Sequence, residues 1–152
     1  MFRLLVVIIL VLLDYISKKI IFVNIELNNF FPILPIMDFA HIHNYGIAFG
    51  LFSGTLSSWL IIFCGLIITA IIYFMLIQTN NFVEKWGLTL IIAGAISNIM
   101  DRVINNYVLD FIYLHYSEFY WPAFNLADIY ITLGVLIILY QAIRGYKKKS
   151  IK

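Results

Sequence analysis

Four aspartates, Asp14, Asp101, Asp110 and Asp128, sit in or beside long apolar stretches of a 152-residue chain that is 63% hydrophobic and 12% charged. A carboxylate at the centre of a membrane helix costs about 3 kcal/mol on insertion scales, so each needs a partner or a task. Spacing supplies some partners. Asp14 and Lys18 are four apart and share a helix face. Gly94, Asn98 and Asp101 form one stripe at steps of four and three. Asn125 and Asp128 stand three apart at the head of an apolar run, and Asp110 has no basic residue within four positions. Two carboxylates brought together cannot both ionise. One keeps a proton as an acid while the other acts as a base on water.

Each residue also has a structural reading. Asp14 with Lys18 is a neutralised pair that holds its helix in a bundle, and Asp101 beside Arg102 is an anchor at a helix end. Asn125 is an N-cap with Asp128 at N3, a variant of the capping box favoured by the helix dipole. For Asp128 the capping and catalytic readings stay open at this point. For Asp110 the alternative is a solvated loop carboxylate. Other chemistries find little support. His41 and His43 are two apart on a candidate strand without an evident third ligand, which favours a contact role over a metal site. Ser17 and Lys18 are adjacent on a helix and diverge, against a Ser–Lys dyad. The single cysteine, Cys64, lies in an apolar run and excludes an internal disulfide. Neither a nucleophile elbow nor a phosphate loop is present.

The elements that must position these groups are membrane helices. A soluble domain averages about a quarter charged residues, so the composition excludes an ordinary cytosolic enzyme, and a net charge of +2 gives no nucleic-acid footprint. Apolar stretches of the required length predict spans near residues 4–23, 56–78, 84–104 and 126–143 of one integral membrane domain, 1–152. The N-terminal stretch lacks a small-x-small cleavage site and is read as a retained span rather than a signal peptide. Arg3, Lys85 in the short turn between spans two and three, and the basic run from Arg144 to Lys152 mark the cytoplasmic side, with both termini inside. Connections 25–55 and 105–124 contain no Lys or Arg and lie outside. The four aspartates then converge on the outer face, with Lys18, Lys19 and Arg102 snorkelling there. Alternation in the first outer connection suggests short strands with a turn at Asn44-Tyr45-Gly46. The second, from Phe111 to Phe124, is an aromatic-rich interfacial loop. The predicted class is all-α, with four transmembrane helices, a small β-rich outer element and that outer loop.

Four segments carry a resemblance: Asp14-Tyr-Ile-Ser-Lys18; Asn44-Tyr-Gly-Ile-Ala-Phe-Gly50; Gly94-Ala-Ile-Ser-Asn98-Ile-Met-Asp101-Arg102 with Val108-Leu-Asp110-Phe111; and Pro122-Ala-Phe-Asn125-Leu-Ala-Asp128. In this order and register the sequence resembles the lipoprotein signal peptidase (signal peptidase II) family, aspartic peptidases of the bacterial inner membrane. The resemblance implies that Asp110 and Asp128 are the catalytic pair. Asp14, Lys18, Asn44, Gly46, Asn98, Asp101, Arg102, Asn125 and Ala127 are then supporting or substrate-positioning residues. Tyr15, Ala93, Ser97 and Asn106 depart from the family's usual Gln and Gly. Ala and Ser still allow close helix packing, and Asn106 can keep a positive φ. Ile47, in place of a usual Ala, bears on substrate preference rather than mechanism.

The implied reaction removes the signal peptide from a diacylglyceryl-modified prolipoprotein, on the N-terminal side of the lipidated Cys. It needs no cofactor and no metal. The implied partners are that substrate and membrane lipids, with no nucleic acid, and the expected state is a monomer. The alternative is a small proton- or ion-conducting membrane protein. Conduction needs polar groups through the full depth, whereas the inner halves of spans two, three and four carry no ionisable residue beyond the turn with Glu84 and Lys85.

Overall fold

The computed structural model describes residues 1–47 and 56–150, with side chains to residue 144. In chain order it has helix α1 (Phe2–Asn24), strands β1 (Phe30–Leu34) and β2 (Met37–Asn44), helices α2 (Ser58–Gln78) and α3 (Phe82–Asn105), strands β3 (Val108–Tyr116) and β4 (Phe119–Tyr120), and helix α4 (Leu126–Ser150). Helices α2, α3 and the Leu126–Arg144 part of α4 are long and apolar enough to cross a membrane. The helices start within a few residues of the expected spans, but α4 continues past residue 143 to Ser150 and the inner turn shifts. Asn81 caps α3 by accepting the N–H groups of Val83 and Glu84, so Glu84 and Lys85 belong to the first helical turn rather than to the connection before it.

Small residues set the spacing of α3 and α4. A Cβ on Gly134 would stand 2.5 Å from the Gly87 carbonyl oxygen, and one on Gly94 would collide with the Ala127 carbonyl oxygen. The helix backbones therefore meet directly, as membrane helices do when no side chain intervenes. The second contact sets Ala127, the residue before Asp128, against Gly94, which lies one turn before Asn98 on α3.

The outer connections form one antiparallel sheet, ordered β1-β2-β3-β4. The aromatic stretch after α3 is therefore a hairpin and not a loop. Val108–Tyr116 is dense in β-branched and aromatic residues, which fit a pleated, half-buried surface. Aromatic rings also favour the membrane interface, so composition alone does not separate a strand from an interfacial loop here. The hairpin reverses at Ser117, with φ 53°. The turn between β1 and β2 falls at residues 35–36. Asn44-Tyr45-Gly46 is instead a bend after β2, closed by the Gly46 N–H donating to Asn44 Oδ1 at 2.9 Å. Asn106 ends α3 with φ 65°, the left-handed cap its side chain tolerates. The sheet packs on the end of α1 through Ile21, Leu109 and Phe111.

Candidate active site

Asp110 lies in the middle strand pairing. It stands opposite Ile42 in the β2–β3 register, with Asn44 opposite Val108 on the same face. On the other side of β3 the chain leading into α4 makes an isolated bridge. Phe124 accepts the N–H groups of Phe111 and Ile112 and returns its own N–H to Ile112. That bridge delivers Asn125 beside Asp110. The carboxyl group is 3% exposed and takes one amide on each oxygen: Asn125 Nδ2 donates to Oδ1 at 2.6 Å and Asn44 Nδ2 to Oδ2 at 2.9 Å. The solvated-loop reading of Asp110 fails on this burial. Burial pushes its carboxyl up to about 7; the charge of Asp128 adds to the shift, and the two amide donors oppose it.

Asp128 stands in the first turn of α4, half-buried. The expected capping box is present: Asp128 N–H donates to Asn125 Oδ1 at 3.0 Å, and Asn125 N–H donates to Asp128 Oδ2 at 3.1 Å. Asn98 Nδ2 donates to the other oxygen, Oδ1, at 2.9 Å. The capping reading of Asp128 thus holds, and the cap together with Asn98 fixes the direction of its carboxylate.

The three asparagines share one device. An amide can turn over, so its direction needs a reason. Asn125 Oδ1 is held by the Asp128 N–H, Asn44 Oδ1 by the Gly46 N–H, and Asn98 Oδ1 by Lys18 Nζ at 3.3 Å. Each of those groups can only donate. Each therefore fixes the amide oxygen and leaves the NH2 facing a carboxylate.

Around this centre lies an ionic girdle. Lys18 Nζ sits 2.7 Å from Asp14 Oδ2 and 2.7 Å from Asp101 Oδ2. Asp14, 1% exposed, also accepts the Ala127 N–H at 2.9 Å and so caps α4 from α1. Two expectations change here. Lys18 does not snorkel outward, since two carboxylates hold it inside the bundle. Asp101 pairs with Lys18 across helices rather than standing as an anchor beside Arg102. Arg102 is buried as well and does not snorkel. It donates to the carbonyls of Asn98 at 3.0 Å and Gly46 at 2.7 Å, tying α3 to the bend after β2. Lys19 is exposed.

The structure thus gathers Asp14, Lys18, Asn44, Gly46, Asn98, Asp101, Arg102, Asn125, Ala127, Asp110 and Asp128 into one connected hydrogen-bonded and ionic network. The Gly46 carbonyl as the anchor of Arg102 escapes sequence reasoning, because a backbone acceptor leaves no residue-type signal. Ile47 is exposed, and the segment 48–50 of the second motif lies outside the described residues.

A family model described as signal peptidase (SPase) II matches residues 6–144. A lipoprotein signal peptidase of Bartonella quintana (strain Toulouse) is 40% identical over 152 residues, covering 98% of this chain and 90% of its own. One from Thermodesulfovibrio yellowstonii is 35% identical over 136 residues, with 89% of this chain and 90% of its own covered. A solved bacterial membrane enzyme, determined by the in meso method at 2.3 Å resolution, superposes with a TM-score of 0.89 at 27% identity, over 97% of this chain and 90% of that one.

Proposed function

Because the chain belongs to the signal peptidase II family, we propose that it is a membrane-embedded aspartic endopeptidase that removes the signal peptide from diacylglyceryl-modified prolipoproteins, cutting on the N-terminal side of the lipidated Cys. One observation carries the aspartic reading. Asn125 holds both carboxyl groups, Asp110 through its side chain and Asp128 through its backbone N–H, and the charge of Asp128 acts on a buried Asp110.

In this mechanism the pair shares one proton and holds a water. The ionised member takes a proton from the water as it attacks the scissile carbonyl. The protonated member gives its proton to the carbonyl oxygen, and the amine later leaves protonated. The pair titrates as a unit, so acid and base are roles of the pair. Asn98, Asn44 and Asn125 keep the carboxyl planes fixed. Lys18 with Asp14 and Asp101, and the Asp14 cap on Ala127, hold the head of α4. Arg102 positions substrate indirectly, through the Gly46 bend it supports.

The same reading treats residues 1–152 as one integral domain of the bacterial inner membrane, with α1 as a fourth span. The charged residues of α1 support this: Asp14 and Lys18 turn inward, leaving apolar side chains on the exposed faces. Both termini are cytoplasmic and the dyad lies near the outer face, where the acyl chains stay in lipid while the peptide bond meets water. Ion conduction is not favoured, since residues 86–100 of α3 contain no ionisable side chain. The experiment that tests this proposal is signal-peptide release from the lipidated substrate in detergent, with Asp110→Asn and Asp128→Asn beside the wild type.

A further inference from the structure

His41 and His43 lie on the face of the sheet opposite Asp110, and the proposed mechanism does not use them. His41 is buried, with Nδ1 2.7 Å from the Ile25 carbonyl oxygen at the end of α1. A carbonyl only accepts, so His41 Nδ1 carries a proton. Its Nε2 lies 3.0 Å from His43 Nε2. A hydrogen bond between two imidazole nitrogens contains one proton, never two. The His43 ring is stacked on Tyr107 at 3.5 Å, just after the left-handed cap of α3. The two rings therefore join the end of α1, strand β2 and the α3–β3 connection. The next residue on β2 is Asn44, which holds Asp110 and the Gly46 bend.

We propose that His41 and His43 form a one-proton clamp that positions Asn44, and through it Asp110, and that the clamp opens when the pair is doubly protonated. With no added proton, His43 Nε2–H donates to His41 Nε2. A first added proton leaves one hydrogen between the two Nε2 atoms. A second puts hydrogen on both, and the contact breaks. His43 is itself harder to charge than an ordinary histidine, through burial and the neighbouring His41. The charged and titratable groups around the pair are Lys19, stacked over Phe22 at 5.2 Å, itself against His41; Glu26 in the turn after α1; Tyr45 and Tyr107; and Asp101, acting on Tyr107. Strand β1 supplies none. Among the described residues no group of three His, Cys, Asp or Glu side chains could hold a metal, and His41 Nε2 already has His43 as its partner. The pair is thus read through protons.

The activity arm of this inference rests on the peptidase reading, and the proton arm does not. Ring 15N spectra of the full-length protein in detergent, with His115 assigned by His115→Gln, follow proton uptake. The clamp predicts that His41 and His43 together take up one proton between pH about 8 and 5. Two independent titrations near the ordinary histidine value would overturn it. In cleavage assays, His43→Phe keeps a ring on Tyr107 but loses the hydrogen bond, and lowers kcat/KM about fivefold, the worth of one hydrogen bond. His43→Gln restores activity, since its amide donates to neutral His41 and, turned over, accepts from charged His41. Relative to the wild type, it loses less kcat/KM as the pH falls through the second protonation of the pair, since Gln takes up no proton. Wild-type kcat/KM in His43→Phe across that range, or a His43→Gln to wild-type ratio that stays constant as the pH falls, contradicts the clamp.

Discussion

Asn125 shows why residue type matters more than charge at this site. Its oxygen, its NH2 and its backbone N–H each have a different partner, and two of the three are carboxyl groups. Removing a donor from a carboxylate destabilises its charged form. With Asp110 near 7, the proton shared by the pair is lost above neutrality, so kcat/KM falls on an alkaline limb. Asn44→Ala removes a group that favours ionised Asp110, so this limb moves to higher pH, which a pH–rate profile reads directly. Asn125→Ala has two effects: the lost cap costs about 1 kcal/mol of stability, and the limb again moves up. The acids and asparagines were legible in the sequence as types and spacings. Their hydrogen-bond partners were not, because each amide meets a carboxyl group 15 to 66 positions away in the chain.

At the scale of elements, the contact of Gly94 with Ala127 fixes the distance between Asn98 on α3 and Asp128 on α4. Gly94→Ala forces the helices apart, and overpacking of this kind costs about 1–3 kcal/mol. It lowers the thermal midpoint and reduces kcat together. Gly65→Ala is the control. Its nearest neighbours are Ile99 side-chain atoms at 3.2 and 3.3 Å, which can yield, so thermal unfolding and activity change little. Helix positions were readable from apolar run length, and the start of α4 from its Asn125 cap, whereas the Asn81 cap of α3 was not. The outer hairpin was not, because the aromatic residues that favour a strand also favour a membrane interface. The bridge from Ile112 to Phe124, which brings Asn125 to Asp110, rests on backbone pairing across the fold, beyond local pattern.

For the whole molecule, the girdle of Asp14, Lys18 and Asp101 joins α1 to α3 and, through Ala127, to α4. Lys18→Met leaves two buried carboxylates unpaired and is expected to destabilise by about 3–5 kcal/mol. Adding Asp14→Asn and Asp101→Asn recovers much of that loss, as thermal unfolding in detergent would record. The i,i+4 pair on α1 was visible in sequence, but the third member, on another helix, was not. Topology has its own check. In a Cys64→Ala background, a cysteine at Ser117 labels from the outer face and one at Asn80 from the cytoplasmic face; labelling of both from one face contradicts the orientation.

The central claim is that Asp110 and Asp128 together cleave the lipidated substrate. Purified protein incubated with a diacylglyceryl-modified prolipoprotein, with products followed by mass spectrometry, tests it most directly. The wild type is expected to release the signal peptide before the lipidated Cys, at a rate lowered at least about a hundredfold in Asp110→Asn and in Asp128→Asn, the scale of a lost acid or base. Cleavage that survives either substitution at the wild-type rate contradicts it.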